Sequence, residues 1–204
     1  MMIPTKADDE TQELYVRNIV TRWNAATPEQ IAVGRNWYYC ANELAQKIAP
    51  TTRVGAGVLA ALSPQKSWQA NVKIAKATFA SGAARGQVGN ACKKADDILS
   101  GKDPLTVLPK GSKTWHFYRC IVDPSDSEAV VIDRHAHDIA ADEIYGAADR
   151  GLSNPNRYHT LAEAYRRAAE LLGEIPSVVQ AVTWTVQVDA TEHLPYRAGR
   201  RPKA

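Results

Sequence analysis

An all-α fold is what this sequence predicts, and three observations carry the prediction. Helix-opening boxes of the form Ser/Thr-x-x-Glu/Gln recur, at Thr27–Gln30, Thr160–Glu163 and Ser177–Gln180. Between such signals the apolar residues repeat at helical spacing. Glycine and proline punctuate the chain where those periods end. With 204 residues, 45% of them hydrophobic, the chain fits one domain or two small lobes sharing a cleft and can bury a sizeable core. The capped segments add up to roughly eight to ten helices.

Taken in order, residues 1–8 read as frayed. Leu14, Val16, Ile19, Val20 and Trp23 predict an amphipathic helix from Asp9 to Asn24 with an acidic first turn. The Thr27 box, with Pro28 at the first helical position, opens a helix to about Ile48 that buries Ile31, Trp37, Leu44 and Ile48. Val54–Leu62 is apolar on nearly every face and reads as a central buried helix, with Gly55 and Gly57 permitting close neighbours. After Ser63-Pro64-Gln65-Lys66-Ser67, a helix runs from Trp68 to about Ala80, with Trp68, Val72, Ala75 and Phe79 on one face. Residues 81–90 read as a loop, Asn90 capping a short helix that ends at Ser100 and Gly101.

The stretch Pro104–Ala140 is the most informative. Leu108-Pro109-Lys110-Gly111-Ser112-Lys113 is a sharp turn feeding a helix whose apolar residues are Trp115, Phe117, Tyr118 and Ile121. Backbone N–H groups at such a helix start, with Lys110 and Lys113 beside them, suit an anion such as phosphate. Ala129–Ile132 is an apolar run that should be buried. Asp133 follows it, placed to cap a helix carrying Ala136, Ile139, Ala140 and Ile144 while facing a cleft. A lysine amine and a carboxylate on neighbouring helix starts suit attack on an electrophilic sugar carbon. Beyond it, residues 147–157 read as a loop, and the Thr160 box opens a helix with Leu161, Ala164, Ala168 and Leu171 on one face, stopping at Gly173. The Ser177 box opens a last helix through Trp184, a core tryptophan. Val182–Val188 alternates like a strand, but the preceding box favours helix.

On these residues the sequence resembles the helix-hairpin-helix DNA glycosylase superfamily, of the endonuclease III and oxoguanine glycosylase type. That family carries Leu-Pro-Gly-Val-Gly-x-Lys, a loop, then Val-Asp-x-His. The resemblance implies that Lys113 is the Schiff-base lysine and Asp133 the essential aspartate, with His135 completing Asp-x-His. It also aligns Leu62-Ser63-Pro64-Gln65 with Leu-Ser-x-Gln, making Gln65 a residue that contacts DNA near an extruded nucleotide. Lys110, Gly111 and Ser112 would hold a backbone phosphate. Trp68, Trp115, His116, Tyr118 and His135 are candidate walls of a base pocket. The first glycine of the hairpin pattern is missing here and the turn is one residue shorter, so a reshaped phosphate grip is expected. The resemblance covers about residues 30–190 and implies two lobes with the active cleft between them.

The implied activity is cleavage of an N-glycosidic bond in DNA, with strand cleavage after base loss. Two alternatives stay open: a DNA-binding module that kept the fold and lost catalysis, and a phage-type enzyme acting on modified pyrimidines. Composition bears on the partner only weakly. Net charge is +3 and the isoelectric point about 8.7, but Arg85, Lys93, Lys94, Lys102, Lys110, Lys113 and Arg119 concentrate basic charge near the hairpin. The basic segment 193–204 is expected to be a flexible tail with affinity for phosphates. Cys40, Cys92 and Cys120 form no CxxC pair; they read as small buried residues of a reducing compartment and cannot supply the four-cysteine iron–sulfur cluster of some relatives. The histidines lack zinc-site spacing, so no metal or other cofactor is expected. No signal pattern and no long apolar run is present. The expectation is a monomeric cytoplasmic protein, associated with the nucleoid, that binds DNA and no membrane.

Overall fold

Capping chemistry decides where most of the helices begin. The computed structural model describes residues 3–190, the side chains of residues 147, 148, 189 and 190 excepted, and those residues hold eleven helices and no strand. Helix α1 (Asp9–Asn24) opens on Asp8, whose carboxylate accepts from the Thr11 N–H at 2.8 Å. Helix α2 (Pro28–Ile48) opens on the expected box, Thr27 and Gln30 each bonding the other's backbone N–H. Helices α3 (Thr52–Leu62) and α4 (Trp68–Ser81) open on Thr51 and Ser67. Helix α5 (Gly89–Leu99) follows Val88, which offers no side-chain cap, so Asn90 lies inside the first turn rather than before it. The four-residue α6 (Pro104–Val107) precedes α7 (Lys113–Val122), and α8 (Arg134–Ala141) opens on Asp133 as expected. A second four-residue helix, α9 (Ala147–Arg150), interrupts the expected loop. Helix α10 (Pro155–Leu172) and helix α11 (Pro176–Ala190) complete the order.

Two of the three boxes mislead. Helix α10 starts at Asn154-Pro155, where Asn154 accepts from Asn156 and Arg157, so Thr160 is already inside the helix and its hydroxyl donates to the Thr5 carbonyl. Likewise the Ile175 carbonyl accepts from Val178 and Val179, which places Ser177 within the first turn of α11. The alternating run Val182–Val188 is helical, as the context indicated. Residues 3–8 are not frayed: Ile3 is buried and its carbonyl accepts from Arg157. Ile144, expected within the periodic segment after Asp133, lies beyond the end of α8, and both it and Leu171, grouped with the apolar face of α10, are 73% exposed. Cys40 is exposed and Cys92 half-buried; among the cysteines only Cys120 is buried. On α2 the deepest line is Gly34, Tyr38, Ala41 and Ala45, with Ile31, Trp37, Leu44 and Ile48 half-buried beside it. The tail 193–204 lies outside the described residues.

The buried side chains form two clusters. One gathers α2, α3, α4, α5 and α7 around Tyr38, Leu59, Leu62, Ile98 and Ile121. The other gathers α1, α8, α10 and α11 around Ile19, Ile139, Leu161, Tyr165 and Val182. The second cluster is therefore discontinuous in sequence, closed by α1 at one end of the chain and α8, α10 and α11 at the other. Between the clusters runs the segment 129–132. Ala129 and Val131 enter the first core while Val130 and Ile132 enter the second, the alternation expected of an extended strand-like segment. All four are at most 5% exposed. The segment ends at Asp133, which therefore emerges at the seam of the two cores. Helix α11 crosses the same seam, with Ala181 in one core and Val182 in the other. It lies so close to α2 that a Cβ on Gly34 would stand 2.7 Å from the Val182 Cα. Gly55 makes the similar close approach anticipated for it, against the Ala45 carbonyl. Among the described residues no helix is long and apolar enough to cross a membrane.

Candidate active site at the seam of the two cores

The turn before α7 is tight. The Ser112 N–H donates to the Pro109 carbonyl at 3.0 Å, and Gly111 adopts φ +74°, which a side chain would resist although the space around it is open. The Ser112 hydroxyl then accepts from the Trp115 N–H, capping α7 and leaving the N–H groups of Lys113 and Thr114 at the helix end. Lys110, Gly111 and Lys113 are exposed and Ser112 half-buried. Lys113 is thus the first residue of α7, beside unpaired amides and the positive end of the helix dipole.

Asp133 is the other half. Its Oδ1 accepts from the N–H groups of His135 and Ala136, both at 2.9 Å, while Oδ2 accepts none among the described residues. One oxygen holds the helix and the other is free. The position is rigidly supplied. Tyr158 from α10 donates its hydroxyl to the Val130 carbonyl and accepts from the Ile132 N–H, each at 3.0 Å, bracketing the segment that delivers Asp133. Tyr165 donates to the Ala136 carbonyl on the first turn of α8. Burial raises the pKa of Tyr38, Tyr158 and Tyr165, and the Asp133 charge adds to the rise in each. The Asp133 charge is thus felt by three buried phenols that stay protonated.

His135 sits in the first turn of α8, two residues after Asp133. Burial lowers its pKa first, Asp133 and Asp138 oppose that, and Arg134 and Lys113 reinforce it. The ring thus feels both the Lys113 and the Asp133 charges, that of Lys113 least. Arg134 donates Nε–H to His135 Nε2 at 3.1 Å, which keeps the proton on Nδ1. The edge of the ring meets Trp184 of α11 with centroids 6.3 Å apart. Trp184, expected in the core, is half-exposed at this point.

The remaining sequence candidates spread outward. Tyr118 and His116 lie inside the protein rather than on an open face, at 2% and 8% exposure. The His116 ring stacks on Tyr158 at 5.2 Å, and burial lowers its pKa to about 4, so the ring is neutral. Trp115 is half-buried with the Arg119 guanidinium 4.9 Å over its ring. Trp68 packs on Trp37 at 5.1 Å and helps line an open apolar groove of about 420 Å³ with Val33, Asn36, Cys40 and Leu44. Gln65 is exposed on the turn after α3 with φ +57°. Sequence reasoning missed Arg134, Trp184, Tyr158 and Tyr165. Arg134 was signalled by adjacency to Asp133; the others come from distant helices and leave no local sign.

A family model spans residues 1–192, described as a family of unknown function (DUF7178). The chain belongs to that family. No curated protein and no solved structure matches it. In this DUF7178 member no group of three or more His, Cys, Asp or Glu side chains is arranged to hold a metal ion among the described residues. What its described residues offer is a carboxylate oxygen of Asp133 that accepts no hydrogen bond, an exposed amine at the start of α7, and an imidazole on the first turn of α8 whose pKa burial lowers.

Proposed function

We propose that the chain is a DNA N-glycosylase of helix-hairpin-helix type with an associated lyase step. The observation that carries this reading is the placement of Lys113 and Asp133 at the starts of two helices, with both charges acting on the His135 ring. The two clusters correspond to the two lobes of such a fold, and α6, the turn at Gly111 and α7 to its hairpin. A nucleotide drawn from the stack would enter the seam. The Lys113 amine attacks C1′ as the N-glycosidic bond breaks, and the departing base keeps the electron pair and takes a proton from water. Asp133 Oδ2 stabilises the cationic sugar and accepts the proton lost by the amine. Asp133 returns that proton to O4′ as the sugar ring opens to an imine between Lys113 and C1′, and loss of a C2′ proton to the hydroxide left by base protonation then expels the 3′ phosphate by β-elimination.

A second reading, a DNA-binding module without catalysis, is favoured by the four-residue α6 and the single glycine of the turn, which leave a smaller phosphate grip. Borohydride trapping separates the two. Wild type incubated with abasic duplex DNA should give a covalent adduct, abolished in Lys113→Ala and at most weakened in Lys110→Ala. Absence of an adduct, under conditions that trap a known lyase, rejects the lysine mechanism; abasic DNA that is bound but never cut supports the module.

A further inference from the structure

The turn that follows α3 is held from outside itself. Within it the Lys66 N–H donates to the Ser63 carbonyl at 3.2 Å, closing a four-residue turn over Pro64 and Gln65. That places Gln65 at the position where a positive φ is required, normally filled by glycine or asparagine. Among the described residues Gln65 and Asp142 are the non-glycine residues with positive φ. A glutamine there is strained, and such strain persists only where the surroundings over-determine it.

The surroundings are supplied by Gln87, in the loop between α4 and α5. Its Nε2 donates to the Leu62 carbonyl at 3.1 Å and to the Pro64 carbonyl at 2.7 Å, one on each side of Ser63. Its Oε1 accepts from the Val88 N–H at 2.9 Å, and its own carbonyl accepts from the Cys92 thiol at 3.3 Å. Both protons of the amide are therefore spent on the turn, and the amide oxygen is anchored in its own loop. Only a primary amide of this reach does both. A glutamate would present oxygen to two carbonyls, and an aliphatic side chain would leave both unpaired.

We propose that Gln87 is a positioning residue that holds the Ser63–Lys66 turn in the left-handed form exposing Gln65 to DNA. The proposal rests on the reading of Gln65 as a DNA contact next to the extruded nucleotide. Gln87 itself touches no substrate. It acts on how well the protein distinguishes a disrupted duplex from an intact one, since the phosphate grip at Lys110 lies on a different element.

The test uses the full chain and the isosteric variant Gln87→Glu, with Gln87→Met as a second variant should the first fail to fold. Limited trypsin digestion reads the turn directly, because Lys66 is exposed within it. Cleavage after Lys66 should accelerate about tenfold at a temperature where both the variant and wild type remain folded, the loss of the two bonds lowering the melting temperature by a few degrees. In parallel, affinity is measured for a duplex carrying a tetrahydrofuran abasic analogue and for its intact counterpart. The preference for the analogue should fall about tenfold, with intact-duplex affinity unchanged. Unchanged cleavage after Lys66 in a folded variant overturns the clamp. A loosened turn with unchanged preference overturns its role in positioning. A wild-type protein that does not prefer the analogue fails the DNA-contact reading itself, separately from the clamp, and the proposal falls with it.

Discussion

Replacing Asp133 by asparagine separates the cap from the catalyst. Oδ1 accepts from two backbone N–H groups at 2.9 Å, and an asparagine carbonyl oxygen can accept both. Asparagine and aspartate cap about equally well, so the structural loss reduces to the charge–dipole attraction at the start of α8, about 0.3–1 kcal/mol. For a domain of this size that lowers the melting temperature by roughly 2–4 °C at most. The chemical loss is larger. On the proposed mechanism Oδ2 becomes a neutral amide where a cationic sugar would develop, and removing one such electrostatic partner costs about 3–4 kcal/mol, or 10²–10³ in rate. Single-turnover cleavage of the excision substrate, followed beside thermal melting, measures both. Asp133→Ala supplies the contrast, because it loses the cap as well and should melt earlier by a further ~1–2 kcal/mol of stability. A folded Asp133→Asn protein that works within threefold of wild type would reduce Asp133 to a cap and refute the mechanism.

Two other predictions are independent of that one. If the turn at Gly111 grips phosphate, duplex affinity falls steeply with salt, and Lys110→Ala should lower the slope of the log–log plot by about one; an unchanged slope means that the turn does not face DNA. Burial depresses the pKa of His116 from 6.5 to about 4, so the unfolded chain takes up a proton that the folded one refuses as pH drops through that window. Its stabilising contribution is complete above pH 6.5 and is lost by pH 4, on the order of 1–3 kcal/mol. His116→Phe keeps the stack on Tyr158 and should flatten the acid slope of melting temperature against pH, leaving the smaller effects of His135 and His137, whose pKa values burial also lowers. An identical slope in the variant would show that His116 is not the group responsible.

Local signals were readable in the sequence where chemistry alone settles the outcome. Thr27 with Gln30, Asp133 ahead of an apolar periodic segment, and Gly55 in an apolar run each do what their residue types require. The same pattern failed at Thr160 and Ser177 because a stronger starter stood just upstream: Asn154-Pro155 in one case and Pro176 in the other. Once a helix has begun, a threonine inside it no longer needs to cap. Ile144 was misplaced because α8 stops at Ala141, with Asp142 in a left-handed conformation that periodicity does not reveal. The candidate site was half legible. Lys113 and Asp133 stand in a short stretch of chain, but the tyrosines that bracket it and the tryptophan beside His135 lie on α10 and α11, and only packing brings them there. Gln87 had no sequence sign, because its role depends on two carbonyls more than twenty residues upstream.

The discontinuous second core has a consequence for how the chain is made. During synthesis α1 emerges well over a hundred residues before its partners: Gln12 donates to the Thr160 carbonyl, Glu13 pairs with Arg167, and Asn18 donates to the Ala140 carbonyl. For most of translation the apolar face of α1, with Ile19 and Trp23, has no native surface to cover it. The helices of the first core can meet as they appear, because their partners are close in sequence. The second core closes only when α10 and α11 arrive, and the segment carrying Asp133 is bracketed in the same event, since Tyr158 belongs to α10. A nascent chain halted before α10 would hold a formed hairpin and an unformed carboxylate site. The Asp133 side of the proposed site is thus fixed only once α10 has packed on α1 and α8.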